Sequence, residues 1–220
     1  WPIVDGYVIP DDQYRMYETG NFNDVDVLIG YNSDEGASFS FAGNDPAAHR
    51  ASVEERYGPY AEALLEAYPA DGPVVPKSGR DLARDAAFGW HTWSWARLQS
   101  EKGNSKVFLY YFDQHPEYPE DSPRYGFGSP HGQDVDFVFK ALKEEVCDTD
   151  FELSDIMATY WTNFAKYGDP NGKSLPEWPE FTKDNHVTMV LKGDNPYPSA
   201  VPDEDAMWVL DSYFEWRRNQ

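Results

Sequence analysis

Two stretches, residues 25–31 and 106–112, constrain the fold of this chain more than any other part of it. Each is short and dominated by Val, Leu, Ile, Phe and Tyr, without apolar–polar alternation. A strand with one wet face alternates. An unbroken run is the pattern of a strand covered on both faces, as in the centre of a parallel sheet. Parallel neighbours need a long crossover, usually helical. The intervening sequence supplies one. Residues 46–68 read as helical with a break at Gly58-Pro59, and Leu64, Leu65 and Tyr68 form an apolar face. Residues 79–102 read as one long helix, with Leu82, Ala86, Trp90, Trp93 and Arg97 on one side at spacings of three and four. The expected class is α/β.

The flanks are less ordered in pattern. Residues 1–24 read as an extended, turn-rich lead-in, in which Asp11-Asp12 can cap a short helical turn through Met16-Tyr17. Residues 114–130 hold four prolines and read as a long surface loop. Helices are expected over 134–143, 154–167 and 205–218, and a short edge strand over 187–191. Three or so strands leave apolar sheet faces uncovered, so the segment is expected to pack against an upstream half. The chain opens at Trp1 without an initiator methionine or signal peptide, and is read as a fragment or processed product.

Charge excludes some partners. With 39 acidic and 18 basic residues the net charge is -21, which repels nucleic-acid backbones and anionic membranes. An apolar run of about 18 residues, enough to span a bilayer, does not occur. At 40% hydrophobic and 16% aromatic the composition is that of a packed chain. Cys147 is the single cysteine, so no disulfide forms within the chain; it reads as a small packing residue. No H-E-x-x-H, C-x-x-C or calcium-loop spacing is present, and no cofactor or metal is expected.

The chemistry-bearing residues follow the two strands. Residues 30–36 read Gly-Tyr-Asn-Ser-Asp-Glu-Gly, which puts an acid at the end of the first strand. Residues 128–139 read Gly-Ser-Pro-His-Gly-Gln-Asp-Val-Asp-Phe-Val-Phe, which puts His131 in a Gly/Ser/Pro loop beyond the second. An acid and a histidine on loops after successive strands are two parts of a Ser–Asp/Glu–His relay. The third part, a serine in a G-x-S-x-G elbow, occurs nowhere in the 220 residues.

Several motifs in order resemble the type-B carboxylesterases, the group that includes the cholinesterases. They are Pro2-Ile3-Val4-Asp5-Gly6, the Asn32–Gly36 stretch, Asp85 with Phe88, the strand at 107–112, His131-Gly132 with Phe137-Val138-Phe139, the run at 160–171, and Trp178-Pro179. The resemblance implies the C-terminal part of an α/β-hydrolase fold and carboxyl-ester hydrolysis without a cofactor. It places the relay acid at Glu35 and the relay histidine at His131. It also implies a partner, the N-terminal half of the same enzyme, which would bring the serine and the oxyanion hole, and a small-molecule ester as substrate.

The resemblance bears on neighbouring residues too. Phe39 and Phe41 fall where relatives line the acyl pocket, so Phe39 is a candidate substrate contact. Where cholinesterases carry an aromatic for a quaternary ammonium, this chain has Ser38, which weakens a choline-ester reading. Asp134 stands where relatives usually have Glu, which puts a contact supporting the relay in doubt. Asp34 is expected to make a local or supporting contact, and His115 is the runner-up base. The lack of cysteine pairs favours a bacterial source, secreted or periplasmic. Two other readings stay open: a non-enzymatic cholinesterase-like interaction module, and a carbohydrate-binding domain built on Trp90, Trp93 and Trp95. The first has no chemical need for both Glu35 and His131; the second needs those tryptophans exposed on one face.

Overall fold

A computed structural model of the chain describes residues 3–39, 45–143 and 147–220. Four strands form one sheet in the order β1 (Val27–Asn32), β2 (Val107–Phe112), β3 (Val187–Leu191), β4 (Tyr197–Ala200). β1 and β2 run parallel from Val27 beside Val107 to Asn32 beside Phe112, and β2 and β3 are also parallel. β3 and β4 are antiparallel.

The crossover from β1 to β2 is mostly helical over its described length. It runs through α2 (Gly36–Phe39), α3 (Pro46–Tyr57), α4 (Ala61–Ala67), α5 (Val75–Arg84) and α6 (Trp90–Lys102). α1 (Gln13–Glu18) precedes the sheet, and Asp12 caps it by accepting the Arg15 N–H. α7 (Gln133–Val138) and α8 (Asp148–Tyr167) lie between β2 and β3, and α9 (Glu204–Arg218) closes the chain.

The chain's own elements cover both faces at β2 and β3 and partly at β1, rather than leaving apolar faces bare as expected, and this accounts for the unbroken apolar runs. Val107 and Leu109 of β2 pack with α3–α6 and α9, in a core that includes Leu64, Trp90, Trp93 and Leu210. Phe108 and Phe112 point the other way and pack with Leu153, Met157, Tyr160 and Trp178. Successive strand residues face opposite sides, so both sets must be apolar here.

The structure departs from the sequence reading at five places. The edge strand expected at 187–191 is interior, because β4 pairs with its outer side. β4 carries Pro198 and is exposed along its length, so it shows no apolar signal. The long helix starts earlier, at Val75, and is interrupted by a π-turn over Asp85–Gly89. The helix expected over 134–143 ends at Val138, followed by Lys140 in a left-handed conformation (φ 54°). Finally, Cys147 is exposed rather than packed, and it starts α8 before residue 154. Asp150 accepts its backbone N–H at 3.0 Å, a cap that satisfies the helix start.

The tryptophans do not share an exposed face. Of Trp90, Trp93 and Trp95, the first two are core residues and the third reaches the surface, which removes the support for a carbohydrate platform on this helix. Tyr160 is buried, and Trp161 and Phe164 pack on the same core. Among the described residues, no helix is long and apolar enough to cross a membrane.

Candidate active site

The register of β1 and β2 brings both strand ends to one edge of the sheet, and the two candidate residues leave from there. Glu35 sits in the turn between β1 and α2, and His131 opens the turn into α7. His131 Nδ1 lies 2.6 Å from Glu35 Oε2, across 96 positions of sequence. An ionised carboxylate only accepts hydrogen bonds, so His131 donates through Nδ1 in this contact, and Nε2 is the ring nitrogen left outside it. The Glu35 side chain is 5% exposed and that of His131 48%. The acid is enclosed and the histidine reaches the surface. Gly132 follows in a left-handed conformation (φ 80°), which lets the chain turn sharply into α7 beside the imidazole.

Burial pushes the Glu35 carboxyl above the usual carboxylate range, and the nearby Asp134 charge adds to this. The Asn32 N–H, which donates to Oε1 at 2.8 Å, and His131 partly offset the shift. Asn32 is itself 1% exposed. Its side-chain amide donates to the Pro130 carbonyl at 2.8 Å and to Asp134 Oδ1 at 3.2 Å. The Tyr110 hydroxyl donates to Asp134 Oδ2 at 2.9 Å. The shorter Asp134 side chain therefore does reach the groups beside the Glu35–His131 contact.

Two aromatic rings flank the imidazole. Phe39 meets it edge-on at 5.1 Å between centroids, and Phe88 lies 4.9 Å away. Phe88 sits in the π-turn, a feature that often re-aims a side chain at a functional site. Phe39 is exposed beside the ring; Phe41 lies outside the described residues. Among the described residues, no hydroxyl is hydrogen-bonded to His131.

The remaining candidates point elsewhere. Asp34 turns away from the Glu35–His131 contact and pairs with Arg80 at 3.0 Å. His115 pairs with Asp113 through Nε2 at 3.4 Å, and its Nδ1 lies 3.1 Å from the Pro116 carbonyl. Lys192 shares Asp113 at 2.7 Å. His115 thus belongs to a separate ion cluster at the start of the loop. Asn32, Arg80 and the packing of Phe88 on the ring were not assigned from sequence. Asn32 and Phe88 stood inside recognised motifs, but nothing in the spacing says which way their side chains point. Among the described residues, no group of three or more acidic, His or Cys side chains could hold a metal.

Parallel strands, helices on both faces, and an acid and a histidine on loops at one end of the strands define a partial α/β-hydrolase fold. The comparisons give the family. Residues 1–200 match the carboxylesterase family, and the chain belongs to it. Carboxylesterase 1C of Rattus norvegicus is 27% identical over 94% of this chain and 41% of its own length. Carboxylesterase 4A of Bos taurus is 29% identical over 83% of this chain and 36% of its own. A solved PNB esterase matches with a TM-score of 0.75 at 26% identity, over 95% of this chain and 43% of that one. The chain spans less than half the length of these relatives.

Proposed function

We propose that the protein hydrolyses carboxylic esters through an acyl-enzyme, with Glu35 and His131 as the acid and base of a Ser–Glu–His relay. The serine and the oxyanion donors come from an upstream segment of the same enzyme. The observation that carries this reading is the contact between a buried carboxylate and a surface-reaching imidazole. In the neutral ring this contact makes Nε2 the lone-pair nitrogen, the one that can receive the proton of a hydroxyl nucleophile.

His131 Nε2 takes the serine proton as Oγ attacks the ester carbonyl, and returns it to the departing alcohol. In the second half it takes a proton from the water that attacks the acyl carbonyl, and returns it to serine Oγ as the Oγ–acyl bond breaks and the carboxylic acid leaves. Glu35 holds the ring in the Nδ1–H tautomer and stabilises the imidazolium formed at each proton transfer. Phe39 and Phe88 exclude water from the flanks of the ring, and Phe39 is the candidate contact for the acyl or alcohol group. No step calls for a metal or cofactor.

Dependence on an upstream segment rests on the sheet and its surroundings. Among the described residues, β1 pairs on one side only, although it is a strand of the central kind. Val135 and Phe139, on and beside the helix that follows His131, are exposed at 49% and 76%. Hydrolysis of a short nitrophenyl ester by the 220 residues alone and by the protein with its upstream segment tests both points. The expected result is turnover only with the segment present. Turnover by the 220 residues alone, or by neither, would overturn the reading.

A further inference from the structure

We propose that Arg80 is a positioning residue: its guanidinium couples the turn that carries Glu35 to the loop that presents His131, and so holds the two side chains in contact. This rests on the reading of Glu35 and His131 as a relay.

The coupling is made by one side chain gripping both segments. Arg80 Nε donates to both oxygens of Asp34, at 3.1 and 3.0 Å, and Asp34 directly precedes the acid. Arg80 Nη2 donates to the Gly126 carbonyl at 3.1 Å, and the guanidinium lies 4.0 Å from the centre of the Phe127 ring. Asp34 returns the link, since its Oδ2 accepts the Gly128 N–H at 3.0 Å. The next residue is tied as well. The Asp34 N–H donates to the Ser129 carbonyl at 2.9 Å, and the Ser129 N–H donates to Ser33 Oγ at 2.9 Å. Residues 126–129 are thus zipped onto residues 33–34. Only Pro130 then separates the zipped segment from His131.

The clamp is referenced to a rigid element. Arg80 lies on α5, and a Cβ built at Gly36 would come within 2.1 Å of the Arg80 carbonyl oxygen. The acid-bearing turn therefore presses directly on the backbone of α5 at this residue. One turn further on, Arg84 Nη1 donates to the Ser33 carbonyl at 3.1 Å, so a second buried arginine holds the same turn from the same helix.

Stability alone does not account for the pair. The Arg80 and Asp34 side chains are 9% and 4% exposed. Taking two charges out of water costs about what their attraction returns, and well-packed neutral residues often serve stability as well or better. What the charged pair adds is geometry. A planar fork fixes direction and distance to two partners at once, which a lysine or an apolar residue cannot do. A displacement of about 1 Å at a reacting group can cost around a hundredfold in rate.

The test compares Arg80→Lys with the double variant Arg80→Met/Asp34→Asn in the full-length protein. The double variant removes both charges together and leaves no orphaned buried ion, so it is expected to fold with a Tm close to wild type. Two readouts are taken. One is the tautomer of His131 by 15N shifts of selectively labelled histidine; the other is kcat and KM on a short nitrophenyl ester. In the wild type His131 is expected to be the Nδ1–H tautomer. In both variants the ring is expected to move toward a mixture with the Nε2–H form. For the double variant kcat is expected to fall by about 10–100-fold with KM changed by less than about twofold. An unchanged tautomer in a folded variant would overturn the proposal, as would a rate loss that only follows lost folded protein. A shifted tautomer with unchanged turnover would uphold the positioning role and remove the relay reading instead.

Discussion

Glu35 and His131 meet through one contact of 2.6 Å, yet differ tenfold in exposure, 5% against 48% at the side chain. That asymmetry matters more than the distance. An orienting carboxylate acts best where water does not compete for it, whereas a base must reach a substrate. The enclosed turn after β1 supplies the first condition, and the loop before α7 supplies the second.

Enclosing the acid has a cost that mutation can expose. The Glu35 carboxyl is held above its ordinary range by burial, so the folded state binds its proton more tightly than the unfolded state does. Its effect on stability is therefore unfavourable above the folded pKa and vanishes below the unfolded one. Glu35→Gln is expected to raise Tm at pH 8, with the gain closing toward pH 4. The same variant should lose turnover by about 10³–10⁴-fold, because the ring loses its anionic orienter. Thermal scans at the two pH values check the first part; a lower Tm at pH 8 would contradict it.

The Asp113–His115 pair gives a second pH dependence with a defined window. Asp113 raises the affinity of His115 for its proton, working against burial. Burial alone would raise the Asp113 carboxyl, but hydrogen bonds from His115, Lys192 and Ser33 hold it well below the usual range. The His115 contribution is fully present below its unfolded pKa of about 6.5 and is lost as pH rises through the folded value. The Asp113 contribution is present above about 3.9 and is lost as pH falls toward its folded value. The Tm difference between wild type and His115→Gln should therefore be largest between about pH 4 and 6.5 and shrink above that range. A difference that grows from pH 6 to pH 9 would be inconsistent with the pair.

Gly36 is required by contact rather than by backbone angle. A methyl group there meets the Arg80 carbonyl oxygen at 2.1 Å, and backbone cannot swing aside as a side chain can. Gly36→Ala is expected to cost about 1–3 kcal/mol, the usual range for overpacking. It should also lower kcat, since relief requires moving the acid turn away from α5. Urea unfolding with parallel kinetics checks both; a variant with wild-type stability would mean that the turn and helix are not in register as described.

The parts of this fold legible in the sequence were those written in side-chain pattern. β1 and β2 read as apolar runs because residues of each strand pack into cores on both sides of the sheet, and α6 read as a helix because Trp90 and Trp93 face one core. β4 was not legible, since its residues are exposed and its place is set by pairing with β3. The π-turn was not legible either. Asp85 within it is fully buried, and besides two bonds from the adjacent Arg84 it accepts one from the Tyr68 hydroxyl, 17 positions away, which local spacing does not foretell. At the site, Glu35 and His131 stood out as residue types in a motif. Asp134 was noted without its reach being legible, and Asn32 and Arg80 did not stand out, because all three act through partners far away in the sequence.

The most direct test of the central claim is the turnover of a short nitrophenyl ester by the full-length protein carrying His131→Ala. The residue is exposed, and among the described residues its polar contact is with Glu35, so the fold should survive the change. The account predicts a loss in kcat of at least about a thousandfold with a Tm close to wild type. Near-normal turnover by the purified variant, free of wild type, would contradict it.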